Sequence, residues 1–271
     1  VGSLVEVAFY GGSFTAIDIE IQSKLLEIPL KYKESGVVDE IRLSTRPDAI
    51  NREILGNLKR YKVDTIELGV QSLNDDVLMA SERGHTSREV YDSVKLIKEY
   101  GFNLGLQMML GLPDDDINKA IKTCIEFIDL EPDCVRIYPT LVIKETLLEK
   151  QYLDGIYKPL SLKEAIDQST IILMLFYLHN IKVIRVGLQP TENIQLGKDV
   201  VAGPFHPAFR QLVESNIYKE LLDEYFRNKH ITHCDEELVI EANKKIISLI
   251  AGQRSINTKY WRKRYGFKKV R

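Results

Sequence analysis

The apolar run Val5-Glu6-Val7-Ala8-Phe9-Tyr10 leads straight into Gly11-Gly12-Ser13-Phe14-Thr15, and a helical pattern begins near residue 18. A strand that ends in a double glycine lets backbone amides approach a ligand closely, because glycine adopts angles that a Cβ forbids. Its plain structural reading is a tight turn whose Ser13 and Thr15 cap the next helix. Outward from this stretch, strand-like runs at 4–9, 39–44, 64–69, 102–109 and 133–138 alternate with helical patterns at about 18–34, 50–61, 87–100 and 116–129. Such alternation with short connections predicts right-handed βαβ units and a parallel sheet. The expected fold class is α/β, a partial TIM-like barrel of parallel strands whose first βα unit is missing. In such sheets the loops at the carboxyl ends of the strands build the site.

Past residue 140 the pattern changes. A polar, glycine-containing stretch at 149–162 precedes an apolar-rich helix at about 162–179 and a strand at 181–188. The segment 189–207 carries three prolines and two glycines, the composition of a boundary. The expected division is therefore a core over 1–188 and a C-terminal extension over 189–271, with helices near 207–227 and 235–251. From Arg254 to Arg271 the chain has eight Arg or Lys, no Asp or Glu, and the aromatics Tyr260, Trp261, Tyr265 and Phe267.

The 271 residues, 44% apolar and 28% charged, suffice to bury a sizeable core. The longest apolar stretch, Ile171 to Leu178, is far short of the roughly 20 residues of a membrane helix. No charged-then-apolar leader precedes the first strand, so a cytoplasmic location and no membrane partner are expected. The net charge of −2 predicts no overall attraction to nucleic acid. Cys124, Cys134 and Cys234 are odd in number and scattered, which fits neither a disulfide framework nor a C-x-x-C metal site. They read as plain thiols, and no metal ligand set is expected within the chain. His206, His230 and His233 lack the spacing and cysteine company of a zinc site.

Four further motifs stand in order at or after predicted strands: STRPD (44–48), ELGVQS (67–72), RGHT (83–86) and GLQMMLGLP (105–113), with RIYPTLV (136–142) closing the series. Together with GGSFT they make the chain resemble the radical S-adenosylmethionine (SAM) superfamily over roughly residues 4–215. The branch it looks most like contains the Elongator catalytic subunit and the oxygen-independent coproporphyrinogen oxidases. The resemblance implies an enzyme that binds S-adenosylmethionine beside a [4Fe–4S] cluster, takes an electron from a donor, and makes a 5′-deoxyadenosyl radical that abstracts hydrogen from a substrate not named by these residues. It further implies that Gly11, Gly12 and Ser13, with Thr15 close behind, contact the methionine amino group. Gln71 and Ser72 would face ribose and carboxylate, and Leu110, Gly111 and Leu112 would pack against adenine.

The family's cluster is held by a CxxxCxxC-type loop, and none precedes Gly11 here. Cluster cysteines are expected upstream, and this chain alone is expected not to cleave S-adenosylmethionine. An acetyltransferase domain like that of the Elongator subunit is not expected in this chain, so acetyl transfer is not implied. An aldolase-like barrel enzyme would need a lysine or paired carboxylates at strand ends, and no lysine stands there.

Arg46, Glu67, Arg136 and Tyr138 are substrate-facing candidates. An unpaired buried carboxylate is costly, so Glu67 is expected to pair with Arg46 or Arg136, either as part of a site or as a structural ion pair. The alternative function is an RNA-binding module, with transfer RNA as partner because Elongator-like relatives act on it. Lys259, Arg262, Lys263 and Arg264 would meet phosphates and Trp261 would stack on a base; otherwise Trp261 tucks against the body. The sequence GQRS (252–255) lacks the second glycine of a phosphate-clamping GxxG loop.

Overall fold

A computed structural model describes residues 4–271. In chain order the elements are β1 (Glu6–Phe9), α1 (Ile19–Glu34), β2 (Glu40–Thr45), α2 (Arg52–Arg60), β3 (Thr65–Gln71), α3 (Asp75–Ala80), α4 (Ser87–Glu99), β4 (Asn103–Leu110), α5 (Ile117–Asp129) and β5 (Cys134–Pro139). There follow β6 (Val142–Ile143), α6 (Leu147–Leu153), α7 (Leu162–Leu178), β7 (Val183–Val186), β8 (Val200–Ala202), α8 (Phe209–Asn228), β9 (Glu237–Leu238), α9 (Lys244–Ala251), α10 (Ile256–Tyr265) and β10 (Lys269–Val270). The chain forms two compact units, one of residues 1–140 with 175–185, the other of 141–174 with 186–271. Residues 141–174 thus group with the C-terminal part, whereas the proline-rich stretch suggested a division at 188.

In the first unit six parallel strands, in the order β1-β2-β3-β4-β5-β7, make a curled half-barrel. The registers show why the alternation in the sequence matters. Ser44 lies opposite Glu67, Glu67 opposite Gly105, and Gln107 opposite Arg136, so polar residues share one face. The other face carries Ile41, Leu43, Ile66, Leu68, Leu104, Leu106, Val135 and Ile137, all at most 1% exposed. Removing that apolar area from water is the main stabilising term, at roughly 25 cal/mol per Å². Gly105 is required on the polar face, since a Cβ there would stand 2.6 Å from Glu67 Cγ.

Each helix of this unit starts on a side-chain cap that satisfies otherwise unpaired amides. Asp18 caps α1, Asn51 caps α2 and Asp116 caps α5, while Thr86 and Glu89 form a reciprocal capping box on α4. The Thr86 of RGHT is therefore a helix cap.

In the second unit β6 and β8 pair antiparallel, and β9 and β10 pair in parallel. The helix expected at 235–251 begins only at Lys244, because 237–238 is strand. A core of Phe226, Ile250, Trp261, Tyr265 and Phe267 holds α8, α9, α10 and the small sheet together. No described helix is long and apolar enough to cross a membrane.

Candidate functional site

The polar face of the half-barrel is built around one carboxylate. Glu67, in the middle of β3, is 1% exposed. Arg136 of β5 donates to both its oxygens, Nε to Oε2 at 2.5 Å and Nη2 to Oε1 at 2.9 Å. Arg42 of β2 donates through Nη1 at 2.9 Å, and Gln107 of β4 through Nε2 at 3.0 Å. Tyr10, just past the end of β1, donates its hydroxyl to Oε1 at 3.0 Å and accepts from Arg136 Nη2 at 2.5 Å. Burial works to raise the Glu67 pKa, but the hydrogen bonds and charges of Arg136, with Gln107 and Arg42, hold it below the usual carboxylate range. Burial, then the nearby Glu67 charge, pushes the Tyr10 phenol up. Arg46 does not join this group. It pairs with its neighbour Asp48 at the surface. Strand parity explains the difference: Arg42 and Ser44 share the inner face, and Arg46 lies beyond the strand end. Arg42 is the partner the sequence pattern did not single out.

At the carboxyl ends of the strands lies a set of polar groups with open valences. Gly11 has φ +104 and a Cβ built on it would meet nothing within 4 Å, so its backbone fronts open space. Gln71 closes β3 after a register shift, at φ 69, a left-handed conformation that costs a non-glycine residue roughly 1–2 kcal/mol. It is 7% exposed, and its Oε1 has no hydrogen-bond partner. Its amide nitrogen lies 3.0 Å from where a Cβ on Gly69 would stand, so Gly69 makes the room it needs.

The RGHT turn supplies two groups whose role the sequence did not reveal. Arg83 is half-buried, with its Nε unpartnered and no acidic partner among the described residues. Burial, then the like charge of Arg46, lowers its pKa. A guanidinium without a counter-ion in such surroundings calls for an anion. His85 is 6% exposed and bonds the Val70 carbonyl through Nε2 at 3.1 Å, while Nδ1 is unpartnered. Because its partner is a carbonyl, Nε2 carries the proton and Nδ1 is a free acceptor. Burial keeps its pKa below the ordinary histidine value.

Several sequence-derived candidates turn out to be committed elsewhere. Thr15 is buried, and its hydroxyl pairs with the Thr45 hydroxyl and donates to the Ala49 carbonyl, both at 2.6 Å. It locks the diglycine turn onto the loop after β2. The Ser72 hydroxyl lies 3.4 Å from that of Thr123 on α5 and accepts from the Asn74 amide. The backbone at 110–112 is also occupied, since Leu110 O accepts from Thr140 N and Gly111 N donates to Asp115. Leu110 and Leu112 are buried, Gly12 is exposed, and Ser13 and Tyr138 are half-buried.

In the second unit, Trp261 is 0% exposed and donates through Nε1 to Asp223, which also accepts from Tyr260 and Tyr265. A ring so enclosed cannot stack on an unpaired base, so Trp261 belongs to the core. Lys259, Arg262, Lys263 and Arg264 on the same helix are exposed.

The described residues contain no group of three metal-ligating side chains. Cys124 and Cys134 are buried, with burial pushing the Cys124 thiol up to about 12 and raising Cys134. These thiols do not fit a cluster. The orphaned Gln71 Oε1 and the unpaired Arg83 do fit a polar ligand carrying a carboxylate.

Two family models match the chain: the radical SAM superfamily over residues 1–124 and the radical SAM C-terminal domain over 132–219. A tRNA uridine(34) acetyltransferase of Methanocaldococcus jannaschii is 30% identical over 183 residues, covering 60% of this chain and 34% of that protein. Elongator complex protein 3 of Danio rerio is 36% identical over 183 residues, covering 60% and 33%. The chain thus spans about a third of the length of these curated relatives. Among solved structures, archaeal Elp3 from Methanocaldococcus infernus with residues 1–46 deleted superposes with a TM-score of 0.66 at 24% identity, covering 86% of this chain and 57% of that one. HemN, the coproporphyrinogen III oxidase of Escherichia coli, gives 0.53 at 18% identity, covering 64% and 40%.

Proposed function

Because this chain belongs to the radical SAM superfamily, we propose that its half-barrel is the S-adenosylmethionine-holding part of a radical enzyme acting in transfer-RNA modification, as the names of its curated relatives suggest. The observation that carries the reading is the set of open valences at the strand ends. Gln71 holds a strained backbone and an unused carbonyl, and Arg83 a half-buried, uncompensated charge. A zwitterionic amino acid bearing a nucleoside answers both. Its carboxylate would neutralise Arg83, its ribose hydroxyls or amino group would donate to Gln71 Oε1, and the open backbone at Gly11–Gly12 would accept its amino group.

When bound beside an iron–sulfur cluster, S-adenosylmethionine supplies a 5′-deoxyadenosyl radical for hydrogen abstraction. This chain's own residues bind, orient and exclude water. Arg136 and Arg42 keep Glu67 ionised and hold Tyr10 in place, which fixes the start of the diglycine turn. His85 stays neutral and braces the bulged end of β3 through Val70. No described residue supplies a cluster, so the cleavage step is assigned to no side chain here.

Equilibrium dialysis with labelled S-adenosylmethionine tests the reading. Binding is expected for the whole chain and is expected to fall at least about tenfold, roughly 1.4 kcal/mol, in Gln71→Ala and in Arg83→Met. Wild-type protein that takes up no S-adenosylmethionine overturns it. Anaerobic treatment of this chain with iron and sulfide is expected to yield no 5′-deoxyadenosine, and formation of that product would refute the cluster-less assignment.

A second reading, nucleic-acid binding without radical chemistry, is favoured by the exposed face of α10, where Lys259, Arg262 and Lys263 have no acidic partner among the described residues.

A further inference from the structure

The second unit holds a cavity of about 400 Å³ lined by His206, Gln253, Arg254, Ile256 and Lys259. No acidic side chain lines it. Arg254 and Lys259 are exposed and without an acidic partner among the described residues. His206 accepts the Ala208 amide on Nδ1 at 3.0 Å, so its proton sits on Nε2, the nitrogen left free to donate. The one large apolar side chain in the lining, Ile256, is 60% exposed. Two cations and a ring donor around an exposed aliphatic surface match a ligand that is anionic on one side and flat and apolar on the other.

Gln253 and Arg254 of the lining belong to the loop Gly252-Gln253-Arg254-Ser255, which joins α9 to α10, and the two helices are flanked in the chain by the paired strands β9 and β10. A GxxG loop between two helices is how KH modules clamp about four nucleotides of single-stranded backbone. The missing second glycine is answered by the backbone. Ser255 stands at φ 58, ψ 37, left-handed as a glycine would be, and Arg254 at φ 53. Gly252 is obligatory, for a Cβ there would meet Ile256 Cγ2 at 2.8 Å. From behind, buried Asn257 donates to the carbonyls of Ser215 and Ile250, tying the loop to α8 and α9. The exposed Lys259, Arg262 and Lys263 run on from the cavity along α10.

We propose that the cavity beside residues 252–255 binds the sugar–phosphate backbone of a single-stranded nucleic acid, with phosphate held by Arg254, Lys259 and His206 and a base resting on Ile256. This rests on the second reading above, nucleic-acid binding by the C-terminal unit, and is independent of S-adenosylmethionine.

The test is fluorescence anisotropy of the whole chain with a labelled single-stranded RNA of roughly 12 nucleotides at about 50 mM salt, where phosphate contacts are strongest. The double variant Gln253→Asp/Arg254→Asp places carboxylates where phosphate must sit. It is expected to weaken binding at least tenfold with an unchanged circular dichroism spectrum. Equal affinity for single-stranded DNA supports a backbone clamp that does not touch the 2′-hydroxyl. Duplex RNA bound as tightly as single strands overturns the proposal. So does a double variant that binds normally, which would move the contact to the outer face of α10 and leave the broader reading standing. Wild-type protein that binds no oligonucleotide removes both.

Discussion

Arg136 grips Glu67 with two prongs of its guanidinium, one on each carboxylate oxygen, across the width of β4. Removing one member of a buried ion pair typically costs about 3–5 kcal/mol, because the survivor is left uncompensated. Glu67→Gln is therefore expected to lower stability by that order, read from urea midpoints. Glu67 titrates below its ordinary value, so its contribution is present above the unfolded pKa of 4.5 and lost as pH falls through the depressed folded value. The variant should lack that part of the acid transition.

Asp115 behaves in the opposite sense. Burial raises its pKa to about 6, against 3.8 unfolded, although the Gly111 amide bonds its carboxylate. Between those values the folded state holds more protons than the unfolded one, so stability falls as pH rises across the window. A carboxyl NMR titration should place Asp115 near 6, and Asp115→Asn should flatten the dependence of the urea midpoint on pH there.

Strain at Gln71 separates fold from ligand binding. Gln71→Gly relieves a left-handed conformation worth roughly 1–2 kcal/mol and adds roughly 0.5–1 kcal/mol of chain entropy to lose. Stability is expected to change by no more than about 1 kcal/mol. Affinity for S-adenosylmethionine is expected to fall at least about tenfold. Equal affinity would make the strained turn a purely structural feature.

Trp261 is the single tryptophan, which makes it a clean optical probe. Its emission is expected to be blue-shifted, resistant to acrylamide and unmoved by added RNA. Asp223→Ala would strand the indole N–H and two tyrosine hydroxyls. At about 1–3 kcal/mol for each orphaned group, the loss should exceed about 3 kcal/mol and shift the emission to the red.

The strands and long helices were legible because period and caps agree. EIRLST, TIELGVQ and LGLQMML each alternate, and Arg42, Ser44, Thr65, Glu67 and Gln107 all fall on the inner face. Arg42 could have been found by that parity, since it sits two residues before Ser44. Trp261 misleads when basic and aromatic residues are read together by composition. The spacing Asn257, Trp261, Tyr265 is a helical stripe, and all three are buried. Residues 235–243 read as helix because a two-residue parallel ladder leaves no local signature. Arg83 and His85 stood inside a noted motif, but only tertiary burial shows that their polar atoms lack partners. The grouping of 141–174 with the C-terminal unit depends on long-range packing, which composition does not encode.

On the inner wall of the half-barrel, Arg42 and Arg136 are matched by Glu6 and Glu67. This plug is electroneutral, so it exerts little pull on anything arriving from solvent. The uncancelled field at the mouth comes from Arg83, and fields reach roughly 8 Å through physiological salt. A dipolar visitor would consequently be turned before it docked, carboxylate leading, so that the same guanidinium that anchors it would also have aligned it.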